Sequence, residues 1–265
     1  MTTLRVAESE KNGRLEPGRN LMWRWRHMRV GLPAALLLFV AAVVVLIVWT
    51  GLGMAATDLL GDDAVGQVDR GLSRWFARNR TDDLNTLTQV LSYLSETITV
   101  VVVGAIAFVA ARMIWKRWRE SLFLLAALTG EVTIFLALTI LIDRNRPRVP
   151  RLDIAPPTSS FPSGHTAAAV VLYGALAILA SDRARSAALI IAARVFAVLA
   201  PVLVGTARLY RGMHFLTDVI AGALLGVAWL LITARGVRLG VIHRALHESQ
   251  QPPERPTPGN ETGSQ

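Results

Sequence analysis

His214 and Asp218 stand four residues apart and follow Arg208 in the stretch RLYRGMHFLTD. If a helix begins near Met213, the two lie one turn apart on one face. A carboxylate there can accept the proton of one ring nitrogen, which fixes the tautomer and leaves the other lone pair free to attack. That is a nucleophile with its orienter, although the same pair could equally be a structural staple between helices. A second cluster, Pro162-Ser163-Gly164-His165, interrupts an apolar run. Ser163 suits an N-cap and Gly164 lets the backbone approach a ligand, so the free amides of a helix start would favour an anion. His165 beside that anion could give a proton to a leaving oxygen. A capped helix with an incidental histidine is the plainer reading of this motif taken alone.

A third cluster, DRNRPR, contains Arg146. Arg146 and Arg208 offer planar, permanently charged forks that match phosphate oxygens. A single arginine at a membrane boundary often only snorkels, but one on each of two loops, each beside a histidine cluster, weakens that reading. Together the residue types point to phosphoryl transfer through a phosphohistidine. The carboxylates Asp62, Asp63, Asp82 and Asp83 fall in another loop. No metal and no other cofactor is therefore expected.

These clusters need elements to hold them. The chain has 265 residues, 52% of them hydrophobic, and a mean hydropathy of +0.43. A bilayer core takes about 20 apolar residues per helix. Six candidate spans cover residues 31–50, 97–111, 121–142, 166–180, 187–205 and 215–234, of which the second and fourth must borrow flanking residues. The expected fold is an all-α bundle of six transmembrane helices. Residues 1–30 read as a basic cytoplasmic arm, 31–235 as the membrane domain with an outward segment over 52–96, and 236–265 as a cytoplasmic tail. From about Glu248 that tail is rich in Pro, Gly and polar residues and reads as disordered. In the outward segment Leu72, Trp75 and Phe76 share helical spacing, which fits a helix on the membrane surface or one packed over the bundle. Met54-Ala55-Ala56 faintly resembles a cleavage site, but the long polar head before the first span favours an uncleaved anchor.

The net charge of +9 is read as topology, with no nucleic-acid partner, because no basic run is interleaved with aromatics. The arm, the loops after spans 2 and 4 and the C-terminal end hold 17 Lys and Arg, against 10 on the opposite side. The richer side should face the cytoplasm, with both termini, and the three clusters should face outward across a plasma membrane. The chain has no cysteine, so disulfides and thiolate metal sites are excluded.

Arg146-Pro147, Pro162-Ser163-Gly164-His165 and Arg208-x5-His214-x3-Asp218 resemble, in order and spacing, the three-part signature of the type 2 phosphatidic acid phosphatases. Their superfamily includes the vanadium haloperoxidases. The resemblance implies His214 as nucleophile, Asp218 as its orienter and His165 as general acid. It implies Arg146, Ser163, Gly164 and Arg208 as the phosphate cradle, and a membrane lipid phosphate or diphosphate as the substrate. Two positions depart from the pattern. Thr139 replaces the usual lysine seven residues before Arg146, and Ala207 replaces a serine. Arg144, on the same loop, is a possible substitute for the missing charge. Undecaprenyl diphosphate is the preferred substrate, because an outward site suits its recycling. Phosphatidic acid and phosphatidylglycerophosphate are close alternatives. A non-catalytic binder, an anion transporter and a vanadium-dependent peroxidase are the remaining readings.

Overall fold

The computed structural model describes residues 32–59 and 63–250. The expected basic arm and residues 251–265 of the expected tail lie outside the described residues. The elements are α1 (Leu32–Met54), a π-helical turn (Ala55–Leu59), α2 (Ala64–Arg78), α3 (Asp82–Tyr93), α4 (Thr97–Trp115), α5 (Trp118–Leu141), α6 (Gly164–Arg183), α7 (Ala187–Tyr210) and α8 (Leu216–Gln250). No strand occurs among the described residues. Among the described residues six helices, α1 and α4 to α8, are long and apolar enough to cross a membrane, so this is a multi-pass, all-α membrane protein. The two short spans gain their length from flanking residues, to Trp115 in α4 and to Arg183 in α6. Helix α8 runs on to Gln250, so the expected boundary at 235 falls inside a helix.

Helix α6 is the centre of the bundle. Within its apolar window 56% of the residues are buried, against 6% to 39% for the other five spans. Composition explains the position. Ala167, Ala169, Ala175 and Ala177 are all buried, and small side chains let neighbouring helices come close when lipid offers no hydrophobic drive for association. Helix α8 answers with Gly222 and Gly226, one turn apart. A Cβ at Gly222 would lie 2.4 Å from the Ser163 carbonyl oxygen, and one at Gly226 would lie 2.8 Å from that of Ala167. Either substitution would push α8 off the start of α6. Outer helices show the reverse pattern: on α4 only Gly104 and Ala111 are buried, while Ile98, Val101, Ile106 and Met113 are exposed, as lipid contact allows.

Helices α2 and α3 form a capped hairpin at the end where α6 and α8 begin. Asp63 caps α2 by accepting from the Val65 amide at 2.8 Å, and Thr81 caps α3 by accepting from that of Leu84 at 3.3 Å. Helix α2 buries a small and polar face, Gly66, Asp69 and Ser73. The expected single apolar face divides. Trp75 is exposed with Val65 and Val68, whereas Phe76 meets Tyr210 of α7 edge-on at 6.1 Å. The hairpin thus packs over the bundle and still presents an apolar stripe outward, the pattern of a helix at a membrane interface.

Candidate active site

The loop 142–163, the turn 211–215 and the hairpin meet at one end of the bundle. There a cavity of about 690 Å³ is lined by Arg146, Gly164, His165, Arg208 and His214. It continues away from them between α4 and α5, past Val100, Val101, Leu128 and Val132. A cationic mouth over an apolar slot fits an amphiphile with an anionic head. A neighbouring opening of about 500 Å³ shares Thr139, Arg146 and Ser159 with it.

His214 sits in the short turn between α7 and α8 and is buried. Its Nδ1 lies 2.8 Å from the Ser160 carbonyl oxygen. A carbonyl can only accept, so Nδ1 carries the hydrogen and Nε2 keeps its lone pair. Burial, reinforced by the positive charges of Arg208 and Arg146, holds the imidazole pKa well below the ordinary 6.5. The ring is therefore neutral and nucleophilic at neutral pH.

The Ser160 carbonyl, a backbone group, corrects one sequence-based expectation. Asp218 was expected to orient His214, but its nearer oxygen is 3.9 Å from Nδ1. Both oxygens have other partners. Oδ2 accepts from the Phe215 amide at 2.8 Å, as in a capping box, and Oδ1 accepts from Arg144. Asp218 thus fixes the turn that carries His214. Ser160 is held in its own right: its amide donates to the Arg144 carbonyl at 2.9 Å and its hydroxyl to that of Asn145 at 3.2 Å.

Arg144 also departs from expectation. It does not stand in for a phosphate-binding lysine. Its guanidinium donates to Thr217 Oγ1 at 2.8 Å, to Asp218 and to Asp69 Oδ2 at 3.0 Å, and it lies over the Phe215 ring. Asp69 of α2 accepts from Thr217 as well. This carboxylate escaped the sequence reading. A signal was present: Asp69 shares helical spacing with Leu72 and Phe76, and a carboxylate on a partly apolar face usually has a partner.

The two expected phosphate forks are held but incomplete. Arg146 donates through Nη1 to the Met213 carbonyl at 2.9 Å, and Arg208 through Nη1 to Asp153 Oδ2 at 2.9 Å. In both, Nε is buried without a partner among the described residues. A buried donor left unpaired is costly, and a phosphate oxygen would supply the acceptor. Asp153, another residue the sequence reading missed, bridges Arg208 and Arg211. Burial works against its charge, but the bonds from Arg211 and the charge of Arg208 outweigh it and keep its pKa below the ordinary carboxylate value.

Ser163 occupies the N-cap of α6 but makes no capping bond; its hydroxyl pairs with Thr166 Oγ1 at 3.0 Å. Gly164 is needed for helix packing: a Cβ there would meet the Phe135 ring at 2.6 Å. Thr139 lines the cavity with its hydroxyl turned to the Leu136 carbonyl at 2.8 Å. Ala207 is fully buried. Among the described residues no three His, Asp or Glu side chains gather as a metal site.

Known proteins share this architecture. Residues 120–239, which include Arg146, Gly164, His165, Arg208 and His214 of the phosphate cup, match the PAP2 superfamily model, so the resemblance read from the three motifs holds over that stretch. The fold is similar to the crystal structure of the first transmembrane PAP2 type phosphatidylglycerolphosphate phosphatase from Bacillus subtilis. That likeness has a TM-score of 0.63 and 24% identity, and covers 78% of this chain and 96% of the other. Aquifex aeolicus LpxE is also similar, with a TM-score of 0.52 and 23% identity, over 66% of this chain and 98% of the other. No sequence among the curated proteins matches the chain.

Proposed function

We propose, from the PAP2 superfamily segment and the cavity it frames, that this protein is an integral-membrane lipid phosphatase working through a phosphohistidine. The observation that carries the reading is the buried His214, whose Nδ1 is engaged by the Ser160 carbonyl while the ring lines a cavity shared with His165, Arg146 and Arg208. The lipid phosphate enters with its oxygens against the two guanidinium groups and the first amides of α6. His214 Nε2 attacks phosphorus; a P–N bond forms as the bond to the leaving oxygen breaks. His165 gives that oxygen its proton, so the lipid departs as an alcohol, or as a monophosphate when the substrate is a diphosphate. His165 then takes a proton from water, which attacks phosphorus and releases inorganic phosphate, and His214 is regenerated. The guanidinium groups offset the negative charge of the transferring group throughout.

Undecaprenyl diphosphate remains the substrate preferred on topology, with phosphatidic acid and phosphatidylglycerophosphate beside it. The outward site rests on the bias of 17 Lys and Arg against 10. The test is phosphate release from each lipid by purified protein in detergent with chelator present, wild type against His214→Ala. Equal release by the variant, or activity that strictly requires added magnesium, removes this mechanism. Anion flux into liposomes without hydrolysis would favour the transporter reading instead.

A further inference from the structure

The lipid slot contains one group that phosphate chemistry does not use. Glu131 lies within span α5, is only 4% exposed and lines the cavity beside Val132 and Leu128. Among the described residues nothing donates a hydrogen bond to its carboxyl, and no cation pairs with it. Within a membrane segment such a group is expensive and ordinarily meets a partner. Its height is set by neighbours. Phe135, one turn nearer the cup, abuts Gly164 at the start of α6. Glu131 therefore lies about 6 Å, one helical turn, below the phosphate cup. Ala168, one turn into α6, lines the cavity as well.

We infer that Glu131 is a specificity-determining residue, hydrogen-bonding an oxygen that the lipid carries one glycerol unit below its phosphate. An ester carbonyl would accept from the protonated carboxyl; a free glycerol hydroxyl could also donate to it. A prenyl chain has hydrocarbon at that depth and leaves the carboxyl unsatisfied, an asymmetry that discriminates more strongly than an added methylene. The inference rests on the lipid phosphatase reading and deepens it by favouring a glycerolipid phosphate over an isoprenoid one.

The test compares three lipids: phosphatidic acid (ester carbonyls), 1-alkylglycerol phosphate (a hydroxyl and no carbonyl) and farnesyl phosphate (neither). For wild type, Glu131→Leu and Glu131→Gln the readout is the ratio of kcat/KM on each glycerolipid to that on farnesyl phosphate. Glu131→Leu is expected to lower the ratio about tenfold. Glu131→Gln, which still donates and accepts, keeps most of it. Whichever glycerolipid loses its advantage identifies the oxygen. A merely structural role lowers all three lipids together and leaves the ratios unmoved, and unmoved ratios overturn the inference. The same ratios are measured as equilibrium binding in a His214→Ala background. If wild type releases phosphate from no lipid, the phosphatase reading fails, and the binding ratios alone decide the role of Glu131.

Discussion

On the α2 and α8 side of His214 the buried charges are paired. Arg144 spans Asp69 and Asp218, and Thr217 bonds to both Asp69 and Arg144. On the cavity side the groups stay open: Arg146 Nε and Arg208 Nε have no partner among the described residues, and the buried Glu131 carboxyl lines the slot. The same residue types thus do two jobs within one end of the bundle. Saturated ionic groups hold the backbone in place, because a buried charge with every bond made is rigid. Unsaturated ones are set for an incoming ligand, because they gain most when it arrives. Asp218 shows that sequence position alone does not assign a group to either class. It stands four residues from His214, yet belongs to the saturated side.

The comparison can be broken most decisively at His214. His214→Ala should reduce kcat by about 10³-fold or more, as loss of a nucleophile does. A phosphate-release assay that shows a loss under tenfold would place the reacting group elsewhere. Next is Asp218→Ala, which removes a partner from a fully buried ion pair. It should cost about 3 kcal/mol of stability, read as a lower unfolding midpoint in detergent, together with a smaller fall in kcat than His214→Ala. Equal loss of kcat without loss of stability would return Asp218 to the role of direct orienter. Arg208→Lys keeps the charge and loses the fork. It should lower kcat/KM about tenfold, mainly through KM, because the Nε donor is gone. An unchanged KM would mean that the open donor never meets substrate.

The smallest effect is a displacement along the pH axis. His214 is held below its ordinary pKa of 6.5 by burial and by two arginines. A lowered pKa means that the proton leaves at lower pH, so the base form persists into more acidic solution. The acid limb of kcat/KM should therefore lie below pH 6.5 and move up toward the ordinary histidine value in Arg146→Gln, which removes one repelling charge. A limb above 6.5 in wild type would reverse the electrostatic argument.

Much of this site was legible in the chain. Arg146, His165, Arg208 and His214 were singled out by residue type and spacing, and all four line one cavity. The six spans were legible because lipid demands long apolar runs whatever their neighbours. Boundaries were less so, since α4, α6 and α8 all run past their apolar cores into charged residues. Asp69 was legible only in hindsight, as a carboxylate on the inner face of α2. The commitments of Asp218 and Arg144 were not, because either could have turned toward His214 or the phosphate. The choice was made by Phe215, Thr217 and Asp69, which lie around them in space.

By itself the amino-acid order determined a helical membrane bundle and the inventory of groups that can handle phosphate. Hydropathy and residue chemistry are properties of each stretch of chain. Only the tertiary structure decided that a backbone carbonyl at Ser160 engages the His214 ring, that Gly164 serves helix contact, and that Glu131 waits beneath the cup. The reason is that every residue owns a carbonyl and every polar side chain has several possible partners. Which one it meets depends on how distant segments pack, and no local pattern records that.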